Sequence, residues 1–280
     1  MSFNMKKINL FAPQWQGSGK TKELFKGAYA FLQYCRTLRA FDLIEIPIFD
    51  STDLIIENNI FGYSALYKQL KNIREAIELE MPDKILTIGG GCGVEVPIIS
   101  YFGNRYDSFD IFWFDAHGDL NTPESSSSKH FHGMPLRFLV DEIKNNPISR
   151  FFSRIPINNI TLIGTRDLDD EEIDFISKNQ LKVISSKTNW DDIETNLSKI
   201  LQTDNKKTYL HIDLDVLDPK YYKNVKCPSM NGMTIEQLIH IIKQIISERQ
   251  IIGISLLENT ETDHKNIKKI DELIKIGFDF

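Results

Sequence analysis

The chain has 280 residues, 41% of them hydrophobic and 26% charged, the profile of an ordinary globular protein at a length that one α/β domain can fill. Its formal charge of −6 excludes the basic field that nucleic acid or an anionic membrane would need, and it suits a cationic small molecule. Three scattered cysteines (Cys35, Cys92 and Cys227) imply neither a disulfide framework nor a zinc knuckle.

The opening MSFNMKKINLFAPQW holds too short an apolar run for a signal peptide. No stretch nears the roughly 20 apolar residues that span a bilayer, so the expected location is cytoplasmic. In chain order, strands are predicted at Lys7–Ala12, Phe41–Pro47, Lys84–Ile88, Asp110–Phe114, Asn159–Ile163, Leu181–Ser185, Thr208–Asp213 and Ile251–Leu257. Their apolar, β-branched character suits strands covered on both faces. Between them, Thr21–Leu38, Tyr63–Glu80, Asp169–Asn179, Trp190–Gln202 and Ile235–Ser247 carry apolar residues at helical spacing. Thr234 with Gln237 resembles a capping box for the last of these. The alternation predicts an α/β fold, a three-layer α/β/α sandwich on a mostly parallel sheet of roughly eight strands. With no linker or repeat in view, residues 1–280 are expected to form a single domain.

Ligands of such folds sit beyond the carboxyl ends of the strands. Three strand ends there are unusual: Asp115-Ala116-His117-Gly118-Asp119, Asp213-Leu214-Asp215, and Gly89-Gly90-Gly91-Cys92-Gly93. Four carboxylates on two strand ends, with no Lys or Arg in either segment, would be costly to bury unless a cation neutralised them. Carboxylates with an imidazole suit Mn²⁺, and Zn²⁺, Fe²⁺ or Co²⁺ less specifically. A lone D-x-D would be read as solvated helix-capping acids. A second acidic strand end carrying a histidine makes that reading the weaker one.

The segments DAHGDLN (115–121) and HIDLDVLDP (211–219) are similar to the two signature metal-binding segments of the ureohydrolase family, which contains arginase, agmatinase and formimidoylglutamase. The likeness to arginase continues without a gap through DAHGDLNTPESSSSKHFHGMP (115–135). The resemblance implies two Mn²⁺ ions, bridged by Asp115 and Asp213. His117 and Asp215 would complete one site and Asp119 the other. It implies His132 as the proton-transfer histidine and Glu258 as the partner of the guanidinium group. Asn121 and Ser128 match positions that hold an amino-acid carboxylate, and Asp169 matches one that receives an α-amino group. The implied reaction is arginase-like: hydroxide generated at the metal attacks the guanidinium carbon, giving urea and an amine such as ornithine. The family also suggests trimers or hexamers of the chain.

Cys92 stands where the family's G-G-D-H-S segment has a metal-binding histidine, and the neighbouring Asp is absent. Three readings stand at this point: a thiolate ligand favouring Zn²⁺ or Fe²⁺, a weakened or single-ion site, or a catalytically impaired relative acting as a ligand sensor or partner subunit. As a fourth, Cys92 only packs a tight turn. His130 replaces an asparagine near the substrate carboxylate, and Cys227 stands roughly where a threonine lines the pocket, so agmatinase- or formimidoylglutamase-type substrates stay open. His211 is expected to be a hydrogen-bonded core residue. Gly17-Ser18-Gly19-Lys20-Thr21 resembles the core of a phosphate-binding loop, but Gln14 occupies its first glycine position, and nucleotide hydrolysis would leave the acidic strand ends unexplained.

Overall fold

Every second residue of a strand faces the same side of its sheet, and here both sides are apolar. In the computed structural model, which describes residues 5–48, 54–202 and 207–280, Ile111 and Trp113 enter one core while Phe112 and Phe114 enter the other. The strands are β1 (Lys7–Ala12), β2 (Ile44–Glu45), β3 (Ile56–Glu57), β4 (Ile60–Phe61), β5 (Lys84–Gly89), β6 (Asp110–Phe114), β7 (Ile160–Ile163), β8 (Lys182–Ile184), β9 (Lys207–Asp213) and β10 (Gln250–Leu257). Eight of them form one sheet in the order β2-β1-β5-β10-β9-β6-β7-β8, with every pairing parallel. The helices are α1 (Glu23–Leu38), α2 (Tyr63–Glu80), α3 (Glu95–Arg105), α4 (Pro135–Val140), α5 (Pro147–Phe151), α6 (Asp170–Asn179), α7 (Trp190–Leu201), α8 (Ile235–Glu248), α9 (His264–Ile267) and α10 (Asp271–Asp279). Residues of α2 to α6 join one core, and those of α1 and α7 to α10 join the other, giving the predicted three layers.

The differences from expectation are local. The strand expected over Phe41–Pro47 shortens to Ile44–Glu45, and β8 spans three residues, so both sheet edges are brief, a common protection against edge pairing. The β3–β4 hairpin and α3 were not expected. The amphipathic period of helix α3 is blurred because its first six residues are all buried, and its Pro97 lies in the first turn, where proline is tolerated. The capping box at α8 is present: Thr234 Oγ1 accepts from Gln237 N (3.1 Å) and Gln237 Oε1 accepts from Thr234 N (3.0 Å). The GSGKT segment forms no phosphate cradle, since Gly17 and Ser18 are buried in a short 3₁₀ turn and α1 opens only at Glu23. No helix among the described residues is long and apolar enough to cross a membrane.

The chain passes from β5 across two strand positions to β6, and β9 and β10 later fill the gap. The carboxyl ends of β5, β10, β9 and β6 therefore lie side by side at a topological switch point. The glycines after β5 make this crowding feasible. A Cβ on Gly90 would fall 1.7 Å from the Gln14 carbonyl oxygen, while the Gly90 carbonyl accepts from Glu258 N at 2.8 Å. Gly90→Ala is expected to cost about 3 kcal/mol of stability, read as a lower denaturant midpoint at constant slope. An unchanged midpoint would mean that this crossing relaxes.

Candidate metal centre

Strand β6 is followed directly by Asp115, which is fully buried. Its Oδ1 accepts from His117 N (2.6 Å) and its Oδ2 from Trp113 Nε1 (3.2 Å). His117 turns back so that its Nδ1 lies 3.0 Å from Asp215 Oδ2 and 3.4 Å from Asp115 Oδ1. At the end of β9, Asp213 Oδ1 accepts from Asp215 N (2.7 Å), and Asp215 Oδ1 accepts from Ala116 N (2.9 Å), which stitches the two acidic segments together. Asp119 and Glu258 both sit at positive φ, 55° and 61°, and point buried carboxylates into the same space. Asp119 Oδ2 and Glu258 Oε2 find no hydrogen-bond partner there. The Cys92 amide donates to Glu258 Oε1 (2.8 Å), and its thiol lies 3.3 Å from Asp213 Oδ2.

The electrostatics describe a centre short of positive charge. Burial first, and then the neighbouring carboxylates, hold Asp119 and Asp213 far above the usual carboxylate range and push Asp215 up to about 6. Burial and Asp213 push the Cys92 thiol up as well. Asp115 differs: burial opposes its charge, but the nearby imidazoles of His117 and His211 outweigh it and leave its pKa low. One counter-charge lies outside the acidic segments and was missed from sequence. Arg166, buried just after β7, donates to the carbonyls of Asp215, Ser229, Met230 and Gly164, bringing a guanidinium behind the acids. Burial draws its pKa below the usual guanidinium value.

A divalent cation fits these residues. Ligand atoms of Cys92, Asp115, Asp119 and His211 lie within 4.8 Å of one another. So do those of Asp115, His117 and Asp215, and those of Cys92, Asp213 and Glu258. Two unpartnered buried carboxylate oxygens in the same place are costly without a cation.

Beside the centre is a cavity of about 270 Å³, lined by His117, Asp119, Asp213 and Asp215 together with His132 and Cys227. Asn121, Ser126, Ser127, Ser128, Asp169 and Glu172 line it as well. Asn121 Nδ2 donates to Asp169 Oδ2 (2.8 Å), and Asn121 Oδ1 accepts from Ser125 Oγ (2.8 Å). Ser128 Oγ accepts from His130 N (3.2 Å). Sequence reasoning missed Glu172, whose carboxylate accepts from Leu120 N (2.9 Å) and Asp169 N (3.0 Å), with burial raising its pKa to about 7. Its only local signal is the acidic first turn of α6. His130 is not among the cavity-lining residues; its ring packs edge-on against Phe61 at 5.5 Å, and burial lowers its pKa to about 4. His211 is a hydrogen-bonded core residue as expected, but its ring also faces Cys92 and Asp115.

The sequence profile of the Arginase family matches residues 22–269. An arginase of Staphylococcus aureus (strain MRSA252) is 28% identical over 218 residues, covering 75% of this chain and 72% of its own. The crystal structure of Entamoeba histolytica arginase in complex with L-ornithine superposes with a TM-score of 0.79 at 20% identity, covering 98% of this chain and 99% of that one. Agmatine ureohydrolase of Thermoplasma volcanium superposes with a TM-score of 0.68 at 16% identity, covering 98% and 88%. At such identities the structural likeness speaks for the fold, whereas the profile match extends over most of the sequence. The chain belongs to the arginase family of ureohydrolases.

Proposed function

We propose that the chain is a metal-dependent hydrolase of a linear guanidino compound, with L-arginine as its substrate, ornithine and urea as products, and Mn²⁺ as its metal. The observation that carries this reading is one small cavity lined both by acids, among them Asp119 with an unpartnered buried oxygen, and by the polar side chains of Asn121, Ser128 and Asp169. Asp115 and Asp213 are assigned as shared ligands, with His117 and Asp215 on one ion and Asp119 on the other. A divalent cation held there neutralises the acids and brings the pKa of water toward neutrality.

The chain's own groups then divide the work. Glu258 has a buried Oε2 without a partner, so it can pair with the guanidinium and fix its orientation. His132 lines the cavity with its Nδ1 3.6 Å from Glu258 Oε1, placed to carry a proton to the departing amine. That proton is essential because an amide anion is not a viable leaving group. Asn121 and Ser128 are assigned to the α-carboxylate, and Asp169 with Glu172 to the α-amino group.

The test is urea release from L-arginine, with agmatine in parallel, after incubation with Mn²⁺. His132→Ala should lower turnover by about 10²–10⁴-fold while leaving metal content intact; loss of metal with it would mean that His132 is a ligand. Agmatine outpacing arginine would remove the role given to Asn121 and Ser128. Arginine that binds without turnover in the metal-loaded protein would favour a ligand sensor or partner subunit.

A further inference from the structure

The imidazole of His211 is held in a way that none of the assignments above uses. The ring is fully buried and stacks on Trp113, with centroids 3.6 Å apart and planes 19° from parallel. Its Nδ1 lies 2.9 Å from Oε1 of Glu95, the first residue of α3, which is also fully buried. The Glu95 carboxylate is fixed in turn by Tyr209 OH on Oε2 (2.6 Å), and Tyr209 OH lies 2.5 Å from Ser255 Oγ. With the ring clamped on one face and at one nitrogen, Nε2 can point in only one direction. It faces Cys92 Sγ at 3.7 Å and Asp115 Oδ2 at 3.8 Å.

The distance to the carboxylate is too long for a direct N–H···O bond, which falls at about 2.7–3.2 Å. The distance to sulfur suits two donors sharing one ion, because bonds of about 2.0 Å to nitrogen and about 2.3 Å to sulfur at a tetrahedral angle separate the donors by roughly 3.5 Å. An imidazole bonded through one nitrogen to a carboxylate, with the other nitrogen turned into a group of acids and a thiol, is also the usual setting of a metal-binding histidine.

We infer that His211 supplies the imidazole ligand, and Cys92 the sulfur ligand, of the ion bound by Asp119, with Glu95 as the residue that orients the ring. The nitrogen donor then reaches this ion from β9 rather than from the glycine-rich end of β5. The two strands lie on either side of β10, and their carboxyl ends converge on the same space. A site with one nitrogen and one sulfur donor takes Zn²⁺ or Co²⁺ more readily than an all-oxygen site would. This inference rests on the metal-dependent reading of the centre, but not on the identity of its substrate.

The experiment loads the full-length protein with Zn²⁺ or Co²⁺, counts ions per chain, and records X-ray absorption at the metal edge. Two ions per chain are expected, with a sulfur scatterer near 2.3 Å that Cys92→Ser removes. In His117→Ala, which takes away the other imidazole, the remaining ion should still show imidazole and sulfur. His211→Ala should bind that ion at least a hundredfold more weakly, and Glu95→Gln about 10–100-fold more weakly, with the ion at His117 undisturbed in both. Absence of sulfur in the wild type, absence of imidazole in His117→Ala, or unchanged affinity in a folded His211→Ala would each overturn the inference. The wild-type and His117→Ala spectra decide the matter even if removing the stacked ring prevents folding. Failure to release urea with these spectra intact would instead count against the proposed substrate alone.

Discussion

Asp213→Asn should abolish urea production, lowering turnover on the order of a thousandfold, about 4 kcal/mol of transition-state stabilisation, and should reduce metal content in parallel. The same substitution should raise the melting temperature of the metal-free protein. Burial and the neighbouring acids Asp215, Asp115 and Glu258 all disfavour the charged form of Asp213. Asparagine removes that charge yet keeps an oxygen to accept from Asp215 N, the bond made at 2.7 Å. Stability and function therefore pull in opposite directions at one carboxylate, as expected where ligands are held together without their ion. Calorimetry of both proteins with and without Mn²⁺, beside a urea assay, checks the pair. A variant that keeps its ions, or whose metal-free form melts lower than wild type, would show that Asp213 is neither a shared ligand nor a strained one.

Chelation of the metal should lower the melting temperature, and the gap between loaded and metal-free protein should widen from pH 5 to pH 8. Asp215 at about 6 and Glu172 at about 7 lie above their ordinary values because both are buried. In the metal-free protein the stability tied to their protonated forms is complete below about pH 4 and is lost as pH rises through 6 and 7. Asp119 and Asp213, raised further, run in the same direction. Burial opposes the positive charge of His117, but its bonds to Asp115 and Asp215 raise its pKa far above 6.5, so its contribution also declines with rising pH. Within the centre, Asp115, held low, contributes stability that is lost on acidification, and that loss falls below this window. Ligands must be deprotonated to bind a cation, so the loaded protein gains where the metal-free one loses. With metal at 1,000 times its dissociation constant the stabilisation is about 4 kcal/mol, or roughly 10 °C. Melting curves at four pH values with and without chelator measure it, and a gap that stays constant with pH would refute the coupling.

The acidic strand ends were legible because their chemistry is local. Asp115, His117 and Asp119 lie within five residues, Asp213 and Asp215 within three, and each set follows an apolar run whose only stable environment is a covered sheet. Helix α3 was not legible for the opposite reason: burial of every side chain in its first six residues blurs the periodic signal that marks a surface helix. Arg166 and Glu172 gave no usable signal, because a lone arginine after a strand and a glutamate in a helix's first turn are ordinary until something places them beside the acids. His211 is the sharpest case. A histidine within a strand reads as a core residue, and it is one; its second face acquires meaning only from Glu95, 116 residues earlier.

What the amino-acid order determined by itself was the alternation of strand and helix, the parallel sheet it implies, and the two acidic segments that need a cation, because propensity, periodicity and short-range charge repulsion act between near neighbours. What only the tertiary structure decided was which further side chains stand beside those acids. That depends on the strand order, which sets β9 and β10 between β5 and β6, and on the seating of α3 against β9. Those choices are made by long-range packing of buried surfaces, a free-energy balance over the whole chain that no single segment records.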